Sequence, residues 1–328
     1  MLVKWLTQVK LAALLAAVFV HGPLISQQMD SAYDLMARMA KASKELSYSG
    51  LFTYEFRGNL TSVKVEHVVR DGETYERIVY MDGPEREIVR RGENINCMRA
   101  SDMLLRGSAL KINDNTYAHL QDFYNFYIRG DARIAGRQVS VVNVIPKDKY
   151  RYGYVIAIDK ETGLMLQSVL INRQGKPMER FQFVDVSIGT QVNDIEFSSE
   201  LIDSADIGAD QSDCLEGNQQ AKVSESRWTP RWLPAGFVLS SYQPAGTDGQ
   251  ESLMYTDGLA VFSVFIDSSS KIRNLPKVDA NLGATVAVLT NTEFNDQRFA
   301  ICVVGEIPRS TASQIANAIA PIPARPMQ

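Results

Sequence analysis

Tyr48-Ser-Gly-Leu-Phe-Thr-Tyr-Glu-Phe56 alternates: Tyr48, Gly50, Phe52, Tyr54 and Phe56 share one face of an extended chain, and Ser49, Thr53 and Glu55 take most of the other. Successive side chains of extended backbone point to opposite sides, so a period of two predicts a strand with one buried face. Val63, Val65, His67 and Val69 repeat the alternation after a turn at Arg57-Gly-Asn-Leu60. Strand-like runs continue at Thr74–Tyr80, Arg86–Arg90, Ile95–Met98, Gln138–Ile145, Tyr152–Ile158, Leu164–Ile171 and Met178–Val186. Turn chemistry separates them at Asp71-Gly72, Asp82-Gly-Pro84, Asp159-Lys-Glu-Thr-Gly163 and Gln174-Gly175. The pattern predicts one large antiparallel meander, and a sheet of that many strands curls, closing into a barrel or leaving a groove.

Toward the N-terminus, Asp30 can cap a helix running to about Leu46, whose stripe of Ala32, Leu35, Met36, Met39 and Ala40 predicts that it lies on the sheet. The segment Ser101–Arg129 breaks the strand rhythm, and its aromatics, Tyr117, Phe123, Tyr124, Phe126 and Tyr127, suggest a helical insertion covering one face. Before Ser26, Lys4 and Lys10 precede the apolar run Leu11–Val20, the layout of a secretory signal peptide and too short to span a bilayer. With no cysteine just after that run, the mature protein is expected to be soluble and without a lipid anchor.

Residues 201–227 lose their aromatics and read as a solvated linker. A second unit then follows over 228–320, with strand-like runs at Phe237–Tyr242, Ser252–Thr256, Leu259–Ile266, Thr285–Thr290 and Arg298–Val304 and a short helix beginning near Ser310. Asp257-Gly258 between two apolar runs signals a hairpin. The reading is an α+β fold: signal peptide 1–26, large sheet domain 27–200, linker 201–227, small antiparallel domain 228–320 and tail 321–328. At 328 residues with 45% hydrophobic and 22% charged, the chain is long enough for two ordinary cores.

Removing residues 1–26 moves the formal charge from −4 to −6, with 32 basic against 38 acidic residues, which argues against nucleic acid as a partner. Three cysteines, Cys97, Cys214 and Cys302, cannot all pair, and their pairing stays open. Only His67 and His119 remain after export; Cys-x-x-Cys, Gly-x-Ser-x-Gly and His-Glu-x-x-His signatures and phosphate-cradling glycine loops are absent. The chain therefore reads as no enzyme, with no catalytic residue, metal or cofactor. His67, in phase with Val63 and Val65, reads as a hydrogen-bonded core histidine, and Asp257 as a turn former.

Two sets of side chains could bind ligands. Arg77, Arg86, Arg90 and Arg91 could form a basic patch for a phosphorylated glycolipid headgroup or an acidic peptide, since guanidinium forks suit bidentate contacts; a solvated face paired with Glu66, Glu73, Glu76 and Glu87 is the plainer alternative. Tyr54 and Phe56 could line a cavity for an acyl chain, although an apolar strand face is more often core. In the second unit Trp228, Arg231, Trp232 and Tyr255 are candidate protein contacts, with packing the default for the aromatics and Arg231 the residue to expect at the surface.

Five blocks carry a family resemblance: Met81–Ile95, Tyr150-Arg-Tyr-Gly-Tyr-Val-Ile-Ala-Ile-Asp159, Trp228-Thr-Pro-Arg-Trp-Leu-Pro-Ala-Gly-Phe237, Met254-Tyr-Thr-Asp-Gly-Leu-Ala-Val-Phe-Ser-Val-Phe265, and Val303–Pro308 leading into Ile315–Ile319. In order and coverage the chain resembles the RseB/MucB family. The resemblance implies a half-closed antiparallel barrel of the LolA type with helices on its concave side, followed by a smaller domain. It also implies a periplasmic negative regulator of the sigma-E envelope stress response that clamps the anti-sigma factor RseA/MucA and shields it from a DegS-type protease. Release by lipopolysaccharide or mislocalised lipoprotein is implied too, and self-association is left open. A periplasmic lipid or lipoprotein carrier is the alternative, and the second domain, for which a simple carrier has no need, argues against it.

Overall fold

Helix α1 (Ala32–Glu45) starts at Ser31, not Asp30, through a capping box: Ser31 Oγ accepts the Asp34 N–H at 3.1 Å and Asp34 Oδ2 accepts the Ser31 N–H at 3.1 Å. The computed structural model describes residues 31–91, 114–189, 226–245, 249–267, 279–294 and 296–322. The expected signal peptide, the run Ile95–Met98, Cys97, Cys214 and most of the expected linker and tail lie outside the described residues. Among the described residues no helix is long and apolar enough to cross a membrane.

Strands β1 (Tyr48–Phe56), β2 (Asn59–Arg70), β3 (Glu73–Tyr80) and β4 (Arg86–Arg91) form one meander. After helix α2 (Asp114–Phe123), strands β5 (Tyr124–Ile134), β6 (Arg137–Pro146), β7 (Gly153–Asp159), β8 (Met165–Ile171) and β9 (Pro177–Ile188) form a second. β9 returns beside β1, giving a single nine-stranded antiparallel sheet in the order β4-β3-β2-β1-β9-β8-β7-β6-β5. Among the described residues its end strands, β4 and β5, do not pair with each other, so the barrel stays half open. Phe52, Val63, Val65, Ile78, Ile156 and Ile158 bury one face together with Leu35, Met36 and Met39 of α1. Phe52 is gripped between Phe181 and Phe183, with ring centroids 4.7 and 5.9 Å away.

One expectation fails here: Tyr124, Phe126 and Tyr127 belong to strand β5, and within the described part of Ser101–Arg129 only Asp114–Phe123 is helical. β5 is exposed along most of its length and bulges between Ile128 and Gly130, which blurs the alternation.

The second unit comprises β10 (Trp228–Pro230), β11 (Val238–Gln243), β12 (Gln250–Thr256), β13 (Val261–Asp267), β14 (Asp279–Leu282), β15 (Thr285–Phe294), β16 (Gln297–Gly305), helix α3 (Arg309–Ala318) and β17 (Ile319–Pro321). Six of these strands form an antiparallel sheet in the order β11-β12-β13-β16-β15-β14, while β10 pairs with β17. α3 seals this sheet with Ala312, Ile315 and Ala316. Cys302 on β16 is a half-buried free thiol, and burial pushes its pKa up.

Candidate functional site

The two sheets meet along a polar seam built inside apolar walls. Arg151, in the connection from β6 to β7, is fully buried. Its Nη1 donates to Asp257 Oδ2 at 2.5 Å, its Nη2 to the Ala235 carbonyl at 2.5 Å, and Asp148 sits 2.9 Å from Nη2. The guanidinium lies 5.0–5.4 Å from the ring centres of Phe123, Tyr124 and Phe237, two rings from the large domain and one from the small.

Asp257 is presented by the turn between β12 and β13. Its Oδ1 accepts the N–H groups of Leu259 and Ala260 at 2.9 and 2.7 Å, the aspartate turn anticipated from Asp257-Gly258. That leaves Oδ2 for Arg151 and for the Tyr124 hydroxyl, which donates at 2.9 Å. Burial raises the Asp257 carboxyl above its ordinary range, opposed by Arg151, the two backbone N–H groups and Tyr124. On Arg151, burial acts downward, yet the Asp257 charge holds the guanidinium above its usual value. An arginine does not lose its proton in proteins, so the two form an ion pair at neutral pH. Leu259, carried by the same turn, packs into the core of the large domain, and Tyr154 donates to its carbonyl at 3.3 Å.

A second contact lies at the turn between β14 and β15. Glu179 of β9 accepts the Tyr54 hydroxyl at 2.6 Å and the Ala284 N–H at 2.7 Å, and Ala284 is fully buried against the large domain. Arg57 Nη2 donates to the Asn281 carbonyl at 2.5 Å. Gly283 adopts φ +65°, and a Cβ there would run into the Phe56 ring and come within 2.6 Å of Glu179 Oε1. Gly283→Ala therefore combines about 1–2 kcal/mol of left-handed strain with a clash. Gly58, at φ +79° with open space around it, isolates the strain alone. Urea unfolding is expected to show Gly283→Ala clearly more destabilised than Gly58→Ala; equal losses would mean the turn is not seated.

The residues singled out from sequence divide by position. Tyr54 and Phe56, stacked 6.4 Å apart, face the small domain's turn at this seam. Arg77 is paired with Glu87 at 2.7 Å and with the buried Glu66 at 3.5 Å. Arg86 is exposed, with its guanidinium 4.6 Å from the centre of the Tyr80 ring. In the β3–β4 register Arg86 stands opposite Tyr80 and Arg77 opposite Val89, and positions 77 and 80 fall on opposite faces, so Arg77 and Arg86 do not share a face. The side chains of Arg90 and Arg91 lie outside the described residues.

Trp228 is 4% exposed between Phe294 and Phe299, and Tyr255 is 4% exposed and stacked on Phe262. Both are core residues, and burial pushes the Tyr255 hydroxyl up to about 12. Trp232 is half-buried and meets Tyr150 of the large domain edge-on at 5.1 Å, while Arg231 is exposed. His67 is buried and stacked 4.7 Å from Tyr48, but neither ring nitrogen has a hydrogen-bond partner among the described residues; Glu76 is 3.8 Å from Nδ1. His119 is exposed, 3.5 Å from Asp122.

Sequence reasoning passed over Arg151 and Glu179 and took Asp257 for a turn former. The available signal was that Arg151, Ala235 and Asp257 come from three different blocks of the family resemblance, and all three meet at this seam.

Family models for the MucB/RseB N-terminal domain and the MucB/RseB C-terminal domain match residues 31–201 and 222–320. The chain is 32% identical over 302 residues to the sigma factor AlgU regulatory protein MucB of Pseudomonas aeruginosa, covering 90% of this chain and 92% of the relative. It is 30% identical over 297 residues to the sigma-E factor regulatory protein RseB of Escherichia coli, covering 87% and 89%. A solved structure of MucB in complex with MucA(peri) superimposes with TM-score 0.67 at 32% identity, covering 90% of this chain and 100% of that one.

Proposed function

Because this chain belongs to the MucB/RseB family of sigma factor regulatory proteins, we propose that it binds the periplasmic domain of a RseA/MucA-type anti-sigma factor and restrains sigma-E-type envelope stress signalling. The observation that carries this reading is near full-length similarity, over both domains, to a MucB whose structure is that of a complex with MucA(peri). The protein acts in the periplasm, by binding without turnover. Bound, it shields the anti-sigma factor from the DegS-type protease that makes the first cut. Lipopolysaccharide or mislocalised lipoprotein releases it.

Such a switch needs only two ligands that prefer different states, each weakening the other by the same factor. Docked and undocked arrangements of the seam are the pair of states this reading proposes, since its polar contacts are specific to the docked one. On the surface, Trp232 and Arg231 are the residues proposed to meet the partner, and the Arg86 side of β4 to meet an anionic headgroup.

Calorimetric titration of the mature chain with the periplasmic domain of its cognate anti-sigma factor, followed by timed digestion with the DegS-type protease, tests this. The expected result is saturable binding that slows cleavage, reversed by added lipopolysaccharide. Absence of binding, with lipid co-purifying instead, would favour the carrier reading.

A further inference from the structure

The six-stranded sheet of the second unit has two unlike faces. Its strands alternate strictly, and Leu253, Phe262, Val264, Val288, Ile301 and Val303 are buried in the core that α3 seals. The intervening residues of β12, β13, β15 and β16 point the other way and are mostly half-buried. An antiparallel sheet with one face toward water ordinarily carries polar side chains on it. Here Phe265, Cys302 and Leu289 stand side by side across β13, β16 and β15. Met254, Ser263, Val304 and Ala287 make the next row. On these four strands charge enters that face only at the far rim, with Asp267, Glu293 and Arg298.

Among the described residues neither apolar core includes these side chains. The sheet meets the large domain end-on instead, through Leu259 and Ala284 in its turns. Val261 and Thr285 follow those turns, so the open face begins at the seam and runs away from it.

Four strands about 4.8 Å apart and three rows of side chains give a patch of roughly 20 Å by 20 Å, about 400 Å². That is half of the ~800 Å² each partner gives to a standard interface, so two copies face to face would be held weakly. It is the footprint of one amphipathic helix, about 10 Å wide and about 20 Å long over ~14 residues. Contiguous apolar surface of this kind marks a contact site.

We propose that this open face seats an amphipathic helix of the anti-sigma factor's periplasmic domain, laid across β13, β16 and β15. Apolar side chains at every third or fourth position of that helix pack on Phe265, Leu289 and Val304. The inference rests on the partner proposed above and says where it is held, beyond Arg231 and Trp232. Because the face begins at the seam, the seated helix lies against the turns that dock the two domains.

The test uses the full mature chain and the periplasmic domain of its cognate anti-sigma factor. Ser263 is polar, half-buried and central in the face, so Ser263→Lys places a cation there without emptying a core. Its thermal midpoint is expected to match wild type, while calorimetry shows affinity for the anti-sigma domain lowered by about tenfold or more. Cys302, a free and half-buried thiol, gives a second readout in the unsubstituted protein. Maleimide labelling, read by mass spectrometry of the peptide that carries Cys302, is expected to proceed in the free chain at every chain concentration and to be blocked by saturating partner. Unchanged affinity for Ser263→Lys, or Cys302 still labelled in a saturated complex, overturns this site while leaving the regulator reading intact. Absence of wild-type binding defeats that reading, and this one with it. Protection of Cys302 that grows with chain concentration alone gives the face to a second copy, and protection at every concentration without partner gives it to the chain's own residues; each overturns the proposal. Should Ser263→Lys not fold, the labelling decides.

Discussion

Asp257→Ala is expected to lower stability by about 3–5 kcal/mol, because it strands the fully buried Arg151 guanidinium without its carboxylate partner. The loss has two separable parts. One is the orphaned cation; the other is the turn, whose Leu259 and Ala260 N–H groups lose their acceptor. Asp257→Asn keeps an oxygen for the turn and removes only the charge, so it is expected to fall between wild type and alanine. The double replacement Arg151→Met, Asp257→Asn removes both charges while an apolar side chain refills much of the guanidinium's space. It is expected to be more stable than Asp257→Ala, since removing both members of a buried pair often costs less than removing one. Urea unfolding followed at separate probes in each domain measures all three. A loss below about 1 kcal/mol for Asp257→Ala, the range of an exposed ion pair, would mean that the seam admits water and that Arg151 is solvated.

That experiment turns on residues the sequence left inconspicuous. Strands β1 and β2 were legible because Tyr48–Phe56 and Val63–Val69 alternate, and the register confirms it, pairing Phe52 with Val63 and Gly50 with Val65. A half-open barrel also follows from strand number and twist once β9 is seen to return beside β1. β5 was not legible: its exposed residues have no apolar face to reveal a period, and its aromatics cluster at one end. Arg151 and Asp257 are 106 positions apart, and nothing local marks either as half of a pair. Asp257 has an adequate local reason to exist, the turn, which hides its second role. Arg77 and Arg86 show the opposite case. Their nearness in sequence suggested one patch, and the two-residue period of the strands puts these two on opposite faces.

Leu259→Asp is expected to undock the domains while leaving each folded. Leu259 is 1% exposed and rests in the large domain's core, although it is carried by the small domain's turn. An unpaired carboxylate there costs several kcal/mol to bury, whereas withdrawing the turn exposes only the seam. The cheaper response is separation. Calorimetry is expected to show the two domains unfolding independently, with small-angle scattering giving a larger radius of gyration than wild type. This variant also asks which state the anti-sigma factor selects. If the partner binds the docked arrangement, Leu259→Asp loses affinity roughly in proportion to the docked population it has lost; if it binds the undocked one, affinity rises because the cost of opening has already been met. Unchanged affinity in a protein shown by scattering to be undocked would mean that the seam does not gate binding, and the two states invoked for release would then have to lie elsewhere in the molecule.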